Sequence, residues 1–273
     1  MNDLSEQIKT ASSFLQEKGF LGASTGIVLG TGLGSFINEM DVETTIPYKE
    51  IPNFPVSTVE FHKGQLVLGK VNGRKVIAMQ GRFHFYEGYS MQQITFPIRV
   101  MKQLGIEHLL LSNAAGGLNP SFKKGDLVLL DDHINLLPEN PLRGLNDPSF
   151  GNRFVDLSQP YNKIMNQLLT DTAKENQIDL KKGIYVSVMG PNLETRAEYR
   201  YLRAMGADMV GMSTVPEVIV ANHIGLPCAA ISVITDECDP DNLRPVDISE
   251  ILEVAGKADP VLSSLMKNAI SKF

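Results

Sequence analysis

Short apolar runs alternate with amphipathic helical patterns along this chain, and that alternation is what most constrains its fold. Strand-like runs fall at 26–30, 65–71, 75–80, 108–112, 126–130, 183–188, 207–211 and 228–235. Helical spacing marks 4–19, 90–104, 160–177, 194–205, 216–224 and 248–272. Strands this short and apolar need cover on both faces, so the pattern predicts an α/β protein with a largely parallel or mixed sheet. Asn72-Gly73 between two of the runs adds a hairpin. Ser90 is placed to cap the helix carrying Ile94, Ile98 and Met101, which stops at Gly105. No repeat, low-complexity tract or charge block breaks the chain, which reads as one domain over residues 1–273. The longest irregular stretch, 138–153, is polar and rich in Pro and Gly. Loops of that length in compact domains are often functional.

Composition narrows the functional classes. A net charge of −6 argues against a nucleic-acid or anionic-membrane face, so a phosphate site must be a local arrangement of cations and amides. Cys228 and Cys238, the only cysteines, give no disulfide framework, and no metal-ligand spacing accompanies the histidines. A reducing, cytoplasmic compartment is expected. The first residues carry acids and lack the apolar core of a signal peptide. No apolar run approaches the ~20 residues that span a bilayer.

Several short segments carry chemistry. Segment 30–34, Gly-Thr-Gly-Leu-Gly, follows a predicted strand and reads either as an anion cradle or as a tight turn; the hydroxyl of Thr31 favours the cradle. A dinucleotide fingerprint would need a small residue where Ser35 stands and an acid ending a second parallel strand. Glu50, the nearest acid, lies in no such strand, which disfavours an NAD-dependent oxidoreductase. In segment 81–88, strand alternation puts Arg82, His84 and Tyr86 on one side. A guanidinium fork, an imidazole and a phenol together suit a phosphate and a sugar. Segment 112–117 ends a strand in small residues whose amides can approach a ligand, or it is a plain turn. His62 lies in a loop that reads equally as a phosphate contact or as surface. Segment 190–217 is the richest: Glu194 opens a predicted helix, and the hydroxyls of Ser213 and Thr214 follow a buried strand. A carboxylate that accepts two N–H donors, close to hydroxyls and amides, suits a heterocycle joined to a sugar and a phosphate.

These motifs, in this order across residues 25–260, resemble those of the trimeric purine nucleoside phosphorylases. The resemblance implies a mixed β-sheet, partly closed into a barrel and surrounded by helices. It implies cleavage of the N-glycosidic bond of purine (deoxy)nucleosides by inorganic phosphate, giving base and (deoxy)ribose 1-phosphate, with no metal or organic cofactor. Carried over by motif, the phosphate site is Thr31, Arg82, His84, the amide of Ala114 and Ser213, with His62 as a further candidate. Tyr86 and the backbone of Met212 take the ribose; Glu194 grips the base, with Leu193 and Val210 on the ring. Tyr185 and Thr235 complete the substrate set, and Phe154 matches the aromatic that closes a neighbouring subunit's pocket in a homotrimer.

Two positions depart from that family pattern. Enzymes specific for 6-oxopurines resemble this chain except that Asn follows the Thr235 position, where this sequence has Asp236. An ionised Asp only accepts, so it repels O6 and favours a 6-amino group, whereas a protonated Asp can still donate to N7; Glu194 favours N1–H and thus the 6-oxo bases. Many relatives also carry a His before the last helix that reaches the 5′-hydroxyl. Ile248 falls at that place, which suits a 5′-methylthio group, and Asp247 is the second candidate. The leading expectation is phosphorolysis of inosine and guanosine, with a 6-aminopurine or 5′-methylthioadenosine phosphorylase as the first alternative and an enzyme accepting both as a further one. A non-catalytic nucleoside-binding protein is disfavoured by the completeness of the set Thr31, Arg82, His84 and Ser213.

Overall fold

A computed structural model describes residues 4–58, 63–144 and 147–273. The first helix, α1 (Leu4–Glu17), buries Ile8, Ala11 and Leu15 at helical spacing. The strands are β1 (Thr25–Leu29), β2 (Asp41–Pro47), β3 (Gln65–Val71), β4 (Arg74–Gln80), β5 (His108–Gly117), β6 (Leu127–Asn135), β7 (Leu180–Ser187), β8 (Met209–Gly211) and β9 (Cys228–Glu237). The remaining helices are α2 (Met91–Gln103), α3 (Lys163–Glu175), α4 (Arg196–Ala204), α5 (Val215–His223) and α6 (Ile248–Ile270). Ser90 caps α2 in a reciprocal capping box with Gln93, as its side-chain chemistry requires.

The described strands form a single mixed sheet in the order β2-β3-β4-β1-β5-β8-β7-β6-β9. A further β5–β9 pairing joins its end back to β5 and closes five strands into a barrel. β1, β4, β5 and β9 run parallel where they pair, whereas β2–β3, β3–β4, β5–β8 and β6–β9 are antiparallel. One apolar cluster packs α1, α2 and α5 against the sheet, and a second packs α3 and α6 against its other side. Covering both faces is what lets strands such as β1 be buried at every position.

Closure depends on a missing side chain. A Cβ on Gly116 would lie 2.5 Å from Cys238 Sγ, so only glycine lets β5 and β9 meet there. The register slips between Ala115 and Gly116, which sets Asp236 opposite Gly116. Such a bulge re-aims the side chains beyond it.

Three expectations need correction. The polar, largely exposed β2 had no apolar signal, yet it pairs with β3 at the sheet edge. β5 does not stop at Ser112: it continues through Gly117, because pairing with β8 and β9 overrides the weak strand preference of Ala and Gly. Glu194 does not open α4. It precedes Thr195, which caps the helix in a capping box with Glu198.

Candidate active site

Chain segments at or just beyond the carboxyl ends of β1, β4, β5, β7, β8 and β9 converge on one cavity of about 180 Å³. Ligands of open α/β sheets bind at such ends. Thr31, Arg82, His84, Tyr86, Ala114, Leu193, Glu194, Val210, Met212, Ser213, Thr235 and Asp236 all line it.

Arg82 is the buried cation of the cavity. Its Nε and Nη2 lie 3.1 and 3.0 Å from Glu217 Oε1, and both side chains are almost wholly buried. Nη1 donates to the Ser112 carbonyl at 2.7 Å and to Ser213 Oγ at 3.3 Å. Ser213 is tied in turn to a buried polar chain. Its Oγ lies 3.2 Å from Thr214 Oγ1, which accepts from Asn113 Nδ2 at 2.8 Å. Ser232 Oγ donates to Asn113 Oδ1 at 2.7 Å. Thr214 holds φ of 70°, a conformation that costs about 1–3 kcal/mol for a non-glycine residue, at the entry to α5. The strain is offset by the hydrogen bonds that fix the Ser213–Thr214 corner.

His84 and Tyr86 reach the cavity differently from the strand alternation expected. Residues 81–84 form no strand, and Tyr86 sits in the 3-10 helix Phe85–Glu87. The two rings stack with centroids 4.7 Å apart at 13°. Glu87 Oε1 lies 2.9 Å from His84 Nδ1 and accepts from the His84 amide at 2.8 Å. Burial lowers the His84 pKa, partly countered by Glu87 and deepened by the Arg82 charge. Burial pushes Glu87 upward, but its bonds with His84 and Thr58 prevail and hold it at about 2. Tyr86 is pushed up to about 12 by burial and by the Glu87 charge.

A second group of side chains lines the same cavity. Burial raises the Glu194 carboxyl; bonds from its own amide and from Tyr199 pull it down, and the Asp236 charge pushes it up again. Asp236 Oδ2 accepts from Cys238 Sγ at 3.1 Å, and Oδ1 lies 3.2 Å from Thr235 Oγ1.

Tyr185, Ile248 and Asp247 fall elsewhere than expected, while Phe154, expected to serve a neighbouring subunit, stands outside this chain's own cavity. Tyr185 is fully buried and lies behind the cavity wall rather than in it; its hydroxyl accepts from the Ser213 amide at 3.3 Å. A Cβ on Gly211 would collide with that hydroxyl, so glycine makes room for it. Phe154 is 88% exposed and stands outside this chain's own cavity. Ile248 is half-exposed and does not line the cavity; Ile251, nearly one helical turn on, does. Asp247 caps α6 through the Ser249 amide at 2.8 Å. His62 lies outside the described residues. The sequence reading missed Glu87, Tyr199, Glu217 and Cys238. Only Glu87 carried a local signal, three residues from His84 in the same segment.

Among the described residues, no group of three or more His, Cys, Asp or Glu side chains is arranged to hold a metal, and no helix is long and apolar enough to cross a membrane.

The fold and cavity define a mixed-sheet α/β protein that pairs a buried arginine and hydroxyls with two carboxylates in one pocket. A sequence profile of the Phosphorylase superfamily matches residues 24–271. The chain belongs to that superfamily. It is 47% identical over 270 residues to purine nucleoside phosphorylase 1 of Bacillus subtilis (strain 168), covering 99% of this chain and all of that protein. It also superimposes on a schistosoma purine nucleoside phosphorylase solved with hypoxanthine. The TM-score there is 0.92 at 41% identity, covering 98% of this chain and 97% of that one. A Schistosoma mansoni purine nucleoside phosphorylase in complex with adenosine matches with TM-score 0.92 at 42% identity, over the same shares of both chains.

Proposed function

We propose that this chain is a purine nucleoside phosphorylase, converting purine (deoxy)nucleosides and phosphate to free base and (deoxy)ribose 1-phosphate, with inosine and guanosine as substrates. The observation that carries the reading is one cavity that holds both Arg82 with Ser213 and the carboxylate of Glu194. The relatives named above support it.

In this reading phosphate lies among Arg82, Thr31, His84, Ser213 and the Ala114 amide. Glu217 and Ser112 hold the guanidinium in place before substrate arrives, so no reorganisation is needed on binding. His84 keeps one nitrogen on Glu87 and turns the other to phosphate. Tyr86, kept neutral by its raised pKa, and the Met212 backbone hold the ribose hydroxyls. Glu194 accepts N1–H of the base. As the C1′–N9 bond stretches, its electron pair moves to the purine and the sugar becomes oxocarbenium-like. A phosphate oxygen then forms the new bond to C1′, and the proton of the hydrogen phosphate ends on the departing purine, which leaves as the neutral base. Positioning and preorganised charge supply the acceleration, and no covalent enzyme intermediate is required.

The protein acts as a homotrimer, with the exposed Phe154 of each copy closing a neighbour's pocket. It works in the cytoplasm without a metal or organic cofactor. A 6-aminopurine preference remains the second reading, favoured by Asp236 at the cavity wall. The methylthio variant loses its first support, since Ile248 is not a lining residue, although Ile251 is apolar too.

The decisive experiment is release of hypoxanthine from inosine with and without phosphate. Phosphate-dependent release with one ribose 1-phosphate formed per base is the expected result. Release that ignores phosphate, or none for any purine nucleoside, overturns the proposal.

A further inference from the structure

The polar chain Ser232, Asn113, Thr214, Ser213 has a direction as well as a geometry. Ser232 and Thr214 are wholly buried and Asn113 is nearly so, whereas Ser213 lines the cavity. Each hydroxyl carries one proton, and a buried donor left without an acceptor costs its full desolvation. Among the described residues, the Ser232 hydroxyl has one acceptor in reach, Asn113 Oδ1 at 2.7 Å. Its proton goes there, which fixes the amide with Nδ2 toward Thr214 Oγ1 at 2.8 Å. Thr214 Oγ1 is therefore met by a donor on that side. Its own proton has a single acceptor left, Ser213 Oγ at 3.2 Å. Arg82 Nη1 donates to the same oxygen at 3.3 Å.

The rest of Ser213 is committed too. Its amide donates to the Tyr185 hydroxyl at 3.3 Å, and its carbonyl accepts from Ser187 Oγ at 3.1 Å. Both lone pairs of Oγ are taken by Arg82 and Thr214, so the hydroxyl proton is the one polar atom of Ser213 left to a ligand. Turning the Asn113 amide over reverses the whole chain. Nδ2 then faces Ser232 Oγ, Thr214 donates to Oδ1, and Ser213 donates to Thr214. That arrangement strands the Ser232 proton in the core and presents a lone pair to any anion in the cavity. The observed direction moves the surplus proton from the fully buried end of the chain to the end that meets the ligand.

Building on the nucleoside phosphorylase reading, we propose that Ser232, Asn113 and Thr214 are positioning residues that fix the polarity of the Ser213 hydroxyl, so that it meets phosphate as a donor. A freely rotating hydroxyl must be reoriented when the anion binds; here the orientation is set beforehand by neutral groups. The left-handed backbone of Thr214 holds Oγ1 between Asn113 and Ser213, which gives its strain a use in the phosphate site.

The test is a double-mutant cycle with Ser232→Ala and Ser213→Ala, alone and together. Phosphate Kd is measured by equilibrium dialysis, and KM is measured for phosphate and for inosine. Ser213→Ala should weaken phosphate by at least about tenfold, the worth of a hydrogen bond to a charged group. Ser232→Ala frees the amide to turn over and should weaken phosphate by about fivefold, with KM for inosine within about twofold of wild type. In the Ser213→Ala background, Ser232→Ala should add less than about twofold, because no hydroxyl remains to be aimed. Equal weakening in both backgrounds, or no effect of Ser232→Ala on phosphate, overturns the inference while leaving phosphorolysis intact. Neutron diffraction from deuterium-exchanged wild-type crystals with phosphate reads the same proton without any substitution. Deuterium on Ser213 Oγ aimed at a phosphate oxygen is expected, and deuterium on that oxygen aimed at Thr214 overturns the inference. Wild-type protein that binds no phosphate instead overturns the functional reading on which it rests.

Discussion

Glu217 offers a sharp test of how the phosphate site is built. The Glu217→Gln change keeps shape and one acceptor oxygen but removes the carboxylate charge that lies 3.0 and 3.1 Å from two nitrogens of Arg82. Both partners are almost wholly buried, at 2% and 3% exposure, so solvent cannot replace the lost charge. Breaking one half of a buried pair costs about 3–5 kcal/mol. The amide still accepts a bond from Arg82, which places the expected loss near the lower end. For a chain of this size that is a fall in Tm of roughly 6–12 °C. Phosphate changes the outcome. A dianion beside Arg82 supplies the counter-charge that the variant lacks, so the variant gains more from phosphate than the wild type does. Phosphate at a hundredfold its Kd stabilises the wild type by about 2.7 kcal/mol, and tighter binding in the variant adds to that figure. The assay is thermal unfolding across a phosphate series, with the gap in Tm between wild type and variant plotted against phosphate. The gap should narrow as phosphate rises. A gap that is constant at all concentrations would show that phosphate does not sit against Arg82, and an unchanged Tm without phosphate would refute the buried-pair argument itself.

Three further outcomes are expected. Glu194→Ala should lower inosine turnover by at least about a hundredfold, since the bond through N1–H that positions the base is lost, and near-normal steady-state rates would remove its role. Glu87 is held at about 2 against an ordinary 4.5, so its contribution is present above pH 4.5 and lost as pH falls toward 2. Buried His84, with its lowered pKa, likewise favours the folded state above its unfolded pKa near 6.5 and less so in acid. Glu87→Gln should therefore flatten the acid limb of a Tm-against-pH curve between pH 4.5 and about 2, and an unaltered limb there would refute the assignment. Phe154→Ala should leave Tm within a degree or two, because the ring is 88% exposed in the single chain, yet lower kcat/KM. Unchanged kinetics would remove the inter-subunit contact.

Much of the site was legible because its parts lie close together in sequence. Arg82, His84 and Tyr86 fall within one short segment, and the mix of guanidinium, imidazole and phenol is chemically telling whatever backbone carries it. The expected strand proved to be an extended stretch leading into a 3-10 helix, but the side chains still meet in one cavity. Glu217 was not legible, since its partner lies 135 residues away and its own sequence context reads as the first turn of a helix. Tyr199 and Cys238 are buried core positions as well as cavity-lining ones, and no local pattern sets them apart. Ile248 and Ile251 differ only in helical phase, and phase relative to a cavity follows from how α6 packs.

By itself the sequence determined the α/β class, the sites of most helices and strands, and the kinds of chemistry available. These follow from local periodicity, turn residues and side-chain type, which act over a few residues. The tertiary structure alone decided that β5 and β9 close a barrel, that a register slip sets Asp236 opposite Gly116, and that Glu217 meets Arg82. Those features depend on contacts between segments remote in the chain, where one missing Cβ or one shifted register changes which groups meet. Local preference carries no information about such meetings, because their energy exists only once both segments are packed together.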